Sequence, residues 1–222
     1  MVTPDLASED NIAKLIIPDD LPDEPSFKAY IEAKVYDKEG HVIQYHRQPM
    51  RSLTQYFLAL MSIPIIGTYQ GPSTNQATGP LANTLSLPSE VGAYGAGSAN
   101  ISWNFSILLG SGTQTFSPTL TSLAAPIANG SGAGQLSYGS VLATYSGTTI
   151  YIYVTVINYS STTINVTEIG LSATVYIQYN ASGNNYASSQ YNYLMSYDTF
   201  SQHITLLPGA IATFKIALTF SG

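Results

Sequence analysis

The chain has 222 residues, of which 45% are apolar and only 9% charged, with a formal net charge of −6 and no cysteine. A typical soluble domain carries about 25% charged residues, so most of this surface must be neutral and polar, with 17 tyrosines among the Ser, Thr, Asn and Gly. Disulfides and thiolate metal sites are excluded. The acidic balance opposes nucleic-acid binding, which needs cations against phosphate.

A surface with few titrating groups keeps much the same charge in acid as at neutral pH. It suits close-packed or adhesive assemblies, in which Tyr supplies contact area and Ser, Asn and Gly supply adaptable hydrogen bonds. No apolar run reaches the roughly 20 residues of a spanning helix. The start, Met1-Val2-Thr3-Pro4-Asp5, is acidic, unlike the basic start of a secretory signal.

Residues 1–26 read as an acidic arm. Seven acids (Asp5, Glu9, Asp10, Asp19, Asp20, Asp23 and Glu24) stand against Lys14, which accounts for the whole net charge. Pro4, Pro18, Pro22 and Pro25 forbid a long helix. The arm is either a solvated tail or an anchor that docks through Leu15, Ile16 and Ile17 onto a neighbouring subunit.

Residues 27–222 read as a single domain. Phe27–Asp37 and His41–His46 alternate as a hairpin around the turn Asp37-Lys38-Glu39-Gly40. His41 and His46 fall on opposite strand faces and make a poor metal pair. Ser52-Leu53-Thr54-Gln55 has the form of a capping box, and Leu53, Tyr56, Phe57, Leu60 and Met61 follow at helical spacing. This predicts a helix over 52–63 that covers the body, with Tyr56 and Phe57 as candidate subunit contacts. Residues 67–99 read as a long loop rich in Gly, Pro, Ser and Asn. Gly92, Gly95 and Gly97 lack the strand–helix context of a nucleotide-binding loop.

Strands are then expected over Ile101–Leu109, Leu136–Tyr145, Thr149–Asn158, Ile164–Ile177 (kinked at Gly170) and Tyr193–Ile204, with irregular chain over Thr119–Ile127 and a turn over Asn180–Ser189. The last strand carries the clearest pattern. Ala212, Phe214, Ile216, Leu218 and Phe220 point one way, and Thr213, Lys215 and Thr219 point the other. Such a strand is expected to lie between earlier ones and close a sheet. The fold class is all-β, an antiparallel β-sandwich of jelly-roll type with one short amphipathic helix.

Chemistry-bearing motifs are sparse. Six Asn-X-Ser/Thr patterns occur, at Asn100, Asn104, Asn129, Asn158, Asn165 and Asn180. Asn129, Asn158 and Asn180 lie in turn text, whereas Asn104 and Asn165 lie within strands. Beyond residue 51 the only acids are Glu90, Glu168 and Asp198. Glu168 and Asp198, with His203 near, would need to converge to form a hydrolytic pair. The alternative is that Glu168 is a buried carboxylate bonded to backbone or to Tyr hydroxyls. No catalytic residue, metal ligand or cofactor is expected.

The order of short motifs carries a resemblance. The hairpin turn Asp37–Gly40 and the stretch Ser52-Leu53 to Tyr56-Phe57 precede Leu109-Gly110-Ser111-Gly112-Thr113, Phe116-Ser117-Pro118 and Leu123 with Pro126-Ile127. Thr167-Glu168-Ile169-Gly170-Leu171, Leu194-Met195-Ser196-Tyr197-Asp198 and the turn Pro208-Gly209 follow. Over roughly residues 28–222 this resembles β-sandwich virion proteins (turret, vertex, tail or fibre components) of viruses infecting thermoacidophilic archaea. The resemblance implies a non-enzymatic, oligomeric structural role on a virion, made in the host cytoplasm and exposed on the particle. The implied partners are copies of itself and other virion proteins, with a host-surface glycan possible. A host surface or filament adhesin is the first alternative. A carbohydrate-binding module, stacking sugars on Trp103 or exposed Tyr, is the second.

Overall fold

The computed structural model describes residues 26–57, 85–89, 100–182 and 185–221, with side chains described over 27–57, 104–174 and 192–220. They form two antiparallel sheets. In sheet A, β2 (Val42–Pro49), β1 (Ser26–Tyr36), β10 (Ile211–Ser221) and β7 (Thr149–Ile157) lie in that order. The short strands β5 (Ser137–Tyr138) and β6 (Leu142–Ser146) both pair the far side of β7. In sheet B the order is β3 (Leu85–Ser89), β4 (Asn100–Gly110), β8 (Ile164–Ser182) and β9 (Asn185–Leu206).

The last strand is central, as its alternation predicts. β10 pairs along its whole length with β1, where Phe214 lies opposite Ala33, and with β7, where Phe214 lies opposite Val154. Ala212, Phe214 and Ile216 are fully buried. Burying a side chain of the size of Phe or Ile contributes about 1.5–3 kcal/mol, and a strand paired on both edges realises this on its inner face while leaving no backbone group unpaired.

One core spans both sheets. Ile31, Val35, Val154 and Phe214 of sheet A pack with Ile107, Leu109, Ile169 and Met195 of sheet B. A second, smaller core lies on the other face of sheet B. There Leu108, Leu194 and Tyr197 are covered by the irregular segment 111–126 through Leu123, Phe116 and Leu120. Alternate residues of β4 therefore serve different cores, which is why Ile107, Leu108 and Leu109 are all buried.

Several expectations are corrected. Ser52–Thr54 do not open a helix. They run extended along β9, with Tyr197 N donating to Ser52 O (3.2 Å) and Thr54 N donating to Met195 O (2.9 Å). Helix is present at 55–57, and the remainder of the expected 52–63 helix lies outside the described residues. The capping-box pattern is overridden because those backbone groups complete the edge of a strand. The expected strand Leu136–Tyr145 is two strands, interrupted where Gly139 N donates to Thr155 O at 2.8 Å.

The turn expected over Asn180–Ser189 is mostly ladder, since β8 and β9 pair up to Ser182 opposite Asn185. Polar composition resembled loop chemistry there, but cross-strand pairing satisfies that backbone. β3 falls inside the expected loop 67–99, whose other residues lie outside the described set. Gly170 marks close packing: a Cβ there would meet Leu194 Cδ1 at 2.7 Å and Ser196 O at 2.9 Å.

Candidate interaction face

Glu168 is fully buried on β8. Its carboxylate accepts backbone N–H bonds from Gly112 (3.2 Å), Ala124 (3.0 Å) and Ala125 (2.8 Å). Both ends of the 111–126 segment are thus fastened to one side chain. Thr167 Oγ1 adds a bond to Gly112 O at 2.6 Å, and Tyr197 OH both donates to Gln114 O (3.2 Å) and accepts from Gln114 N (2.9 Å). Glu168 therefore has the backbone-bonded environment set out as the alternative to catalysis.

Asp198 is adjacent in register but engaged elsewhere. Its carboxylate accepts from Arg51 N at 2.7 Å and from its neighbour Thr199 N at 3.2 Å. Burial raises its pKa above the ordinary Asp value, and those two N–H donors only partly oppose this. His203 is exposed, and its carbonyl accepts from Gln44 Nε2 at 2.8 Å. Among the described residues Glu168 and Asp198 share no hydrogen-bond partner, and Asp198 lies opposite Ile169, not Glu168, in the β8–β9 ladder. Among the described residues, no group of three or more His, Asp or Glu is placed to hold a metal ion.

The expected surface residues fare unevenly. Tyr56 and Phe57 are core residues of this chain, which corrects their reading as subunit contacts. Tyr56 stacks on Tyr193 with ring centroids 5.8 Å apart, and Phe57 packs on Phe27 at 5.6 Å. Leu15, Ile16 and Ile17 lie outside the described residues, as do the side chains of Trp103, Asn100 and Asn180.

Asn158 is fully buried, which corrects its reading as a glycan acceptor in an open turn. Its amide donates to Thr162 O (2.8 Å) and Leu206 O (2.9 Å), and its oxygen accepts from Ser160 N (3.0 Å) and Ser160 Oγ (2.7 Å). Asn104 is buried too. Asn129 is exposed, with its Oδ1 accepting from Tyr138 N. Asn165, although inside a strand, is also exposed.

The feature that gathers chemistry is the outer face of sheet A. On β1 the inner residues are Ile31, Ala33 and Val35, so Lys28, Tyr30, Glu32 and Lys34 point outward. Register places Arg47 of β2 and Lys215 of β10 on either side of Glu32, with Tyr153 of β7 next to Lys215. Lys215 Nζ lies 2.7 Å from Glu32 Oε1, and Lys34 Nζ lies 3.7 Å from it. Burial alone would raise the Glu32 pKa, but the Lys215 bond and charge, with Lys34 and Tyr45, outweigh it and hold the carboxyl below the ordinary value. The same pairing raises Lys215 against its own burial.

Aromatic rings fill the spaces between these charges. The Arg47 guanidinium sits 4.1 Å from the Tyr30 ring centroid, and Lys215 lies 5.6 Å from Tyr30 and 5.8 Å from Tyr151. These distances are within cation–π range. Tyr151 and Tyr153 stack along β7 at 6.2 Å. Four cations (Lys28, Lys34, Arg47 and Lys215) face one carboxylate, Glu32, a local net of +3 on a chain whose total is −6. The sequence held the signal, because the cations share strand parity, but only the order of strands sets them side by side.

At one end of this sheet is an open apolar groove of about 520 Å³, lined by Ala143, Tyr145, Ile150 and Phe220 among others. No helix among the described residues is long and apolar enough to cross a membrane. Compared with known proteins, the chain matches no family model, no curated protein and no solved structure.

Proposed function

We propose that this chain is a non-enzymatic structural subunit of a virus particle, a vertex, turret or tail component of a virus infecting thermoacidophilic archaea. In this reading the two sheets are the layers of a β-sandwich of jelly-roll type that packs against copies of itself and other virion proteins. The observation that carries it is the distribution of charge. Outside the arm the body carries six cations and six acids, a net of zero, and four of the six cations (Lys28, Lys34, Arg47 and Lys215) collect on one tyrosine-rich strand face. Such a face is suited to a macromolecular contact, since rigid Tyr rings provide area at low entropic cost and Arg and Lys provide direction. The motif order that resembles archaeal virion proteins supports the same reading. Glu168 adds to it, because its oxygens hold the 111–126 segment and lie under it.

Immunolabelling of purified particles with an antibody to this chain tests the proposal. Decoration at a vertex or tail is expected, and unlabelled particles would defeat it. A second reading, a glycan-binding module or adhesin, is favoured by the same Tyr30, Tyr151 and Tyr153 face, because sugars stack on such rings. Binding of the protein to a glycan array, lost in Tyr151→Ala, would select that reading instead.

A further inference from the structure

We propose that the outer face of sheet A is the docking site for the acidic N-terminal segment, residues 1–24, of a second copy of this chain. This rests on the assembly reading above and gives that assembly its contact.

The face has unspent positive charge. Glu32 is shared by Lys215 and Lys34, and among the described residues neither Arg47 nor Lys28 has a carboxylate within ion-pair distance. Arg47 is exposed and lies on the Tyr30 ring. A guanidinium held on an aromatic plane keeps its outward N–H groups free for a carboxylate, so the side chain is already oriented for a bidentate bond.

The partner charge is in the same chain. Residues 1–24 carry seven carboxylates and one amine, a net of −6 against the +3 of the face, and residues 52–222 contain only three further acids. Of these three, Glu168 is buried beneath the 111–126 segment and Asp198 accepts from Arg51 N, while between residues 25 and 51 Glu32 belongs to the face itself and Asp37 and Glu39 sit in the hairpin turn beside His41 and Lys38. The arm is thus the dense source of negative charge that this protein can offer the face.

The prolines favour a second copy over the same molecule. β1 begins at Ser26, and Pro18, Pro22 and Pro25 precede it. Each proline biases the residue before it (Ile17, Leu21 and Glu24) towards extended backbone. A root of that kind favours continuing away from β1 and disfavours the sharp reversal needed to lie over its own sheet.

Sedimentation velocity on the full chain tests this. At low ionic strength the protein is expected to self-associate, with association at least about tenfold weaker near 0.5 M salt, where screening is short-ranged. The double substitution Lys34→Glu with Arg47→Glu should weaken it by a similar factor while leaving the circular dichroism spectrum unchanged. A second variant, with Asp19, Asp20, Asp23 and Glu24 each changed to Lys, leaves every described strand residue unaltered and should weaken self-association by a similar factor. Mixing the two variants should restore association, because each supplies the charge that the other has reversed. A wild-type chain that is monomeric at low salt would overturn the proposal. So would a face variant that associates as wild type does, or a mixture no larger than its components. If particles prove unlabelled while the charge-swapped mixture associates, the virion assignment fails and this contact stands.

Discussion

Gln48 and Thr199 are joined across the seam between the two sheets: Gln48 Nε2 on β2 donates to the Thr199 carbonyl on β9 at 2.8 Å, and Gln48 Oε1 accepts from Ser201 N at 3.1 Å. Gln44 repeats the arrangement four residues earlier, donating to His203 O (2.8 Å) and accepting from Thr205 N (3.0 Å). Each side-chain amide takes the place of one residue of a neighbouring strand. Ser52–Thr54 continue the seam with true backbone bonds to Met195 and Tyr197. The edge of β9 from about Leu194 to Thr205 is therefore occupied, and an open edge that would otherwise invite pairing with another chain is blunted.

Gln48→Glu separates this role from mere packing. Truncation to Ala removes three bonds, those to Thr199 O and from Ser201 N and a third with His46 Nε2 at 2.8 Å, and should cost about 1–2 kcal/mol. Glu keeps the shape but turns an oxygen towards the Thr199 carbonyl, so it should be less stable than Ala at neutral pH. That deficit should shrink as the pH falls below about 4, where the carboxyl regains a proton to donate. Urea unfolding at two pH values measures both. A Glu variant equal to wild type at neutral pH would refute the seam.

The Glu168 carboxylate gathers three backbone N–H groups in a fully buried site. Glu168→Gln leaves one oxygen for them and aims an amide at a donor, so a loss of about 2–4 kcal/mol is expected. Gly110→Ala should act through the same anchor, because the new Cβ would meet Glu168 Cγ at 2.6 Å and Cδ at 2.7 Å. The two losses should fall well short of additive in the double variant. Additive losses in chemical denaturation would show that the two positions act separately.

The Glu32–Lys215 pair fixes the signs of the pH response of sheet A. The folded pKa of Glu32 is below its ordinary 4.5, so its stabilisation is present above 4.5 and lost as pH falls through the lowered folded value. The folded pKa of Lys215 is above its ordinary 10.5, so its stabilisation is present below 10.5 and lost as pH rises through the raised value. Asp198 has the opposite sign to Glu32. Its raised pKa makes the ionised form unfavourable in the fold, and acid relieves it. Lys215→Met should therefore flatten the alkaline limb of a stability–pH curve and reduce the acid limb. An unchanged alkaline limb would exclude the pair as its cause.

Period-2 alternation made β10 and β1 legible from sequence, because a strand with one apolar face leaves that mark whatever its neighbours are. Its lapse marked Thr119–Ile127 as irregular, though not that this segment covers sheet B. The alternation missed the far ends of β8 and β9, where Tyr, Asn and Ser alternate without contrast between faces, and also β3, whose five residues Leu-Ser-Leu-Pro-Ser are too few and sit in Gly-, Pro- and Ser-rich text. The pattern at Ser52–Gln55 misled because local capping chemistry competes with a strand edge that needs partners, and only the tertiary structure shows which prevails. Gln44 fell inside the expected strand His41–His46 and Gln48 beyond its end, and nothing in the sequence singled out either. Their role is set by β9, which lies some 150 residues later. Glu168 stood out for its isolation in an uncharged stretch, and the loops that enclose it have no sequence signature.

Asn158 gives the sharpest single-residue test of the buried polar structure. Its side chain ties Thr162 and Leu206 together, and its backbone pairs with Ala210 and Gly209, the latter donating at 2.8 Å. Asn158→Asp would place a carboxylate against two carbonyl oxygens in a site with no exposure. The Thr162 carbonyl lies in the bend between β7 and β8, where Ser160 Oγ also donates to it at 3.1 Å, and the Leu206 carbonyl ends β9. A loss of about 3–5 kcal/mol is expected, easing in acid as the carboxyl takes up a proton. The same burial forbids a glycan on the folded protein. Secreted from a eukaryotic host, the chain should carry sugars at Asn129 or Asn165, which are exposed, and none at Asn158. Peptide mass mapping that found an occupied Asn158 on correctly folded protein would contradict the buried network directly.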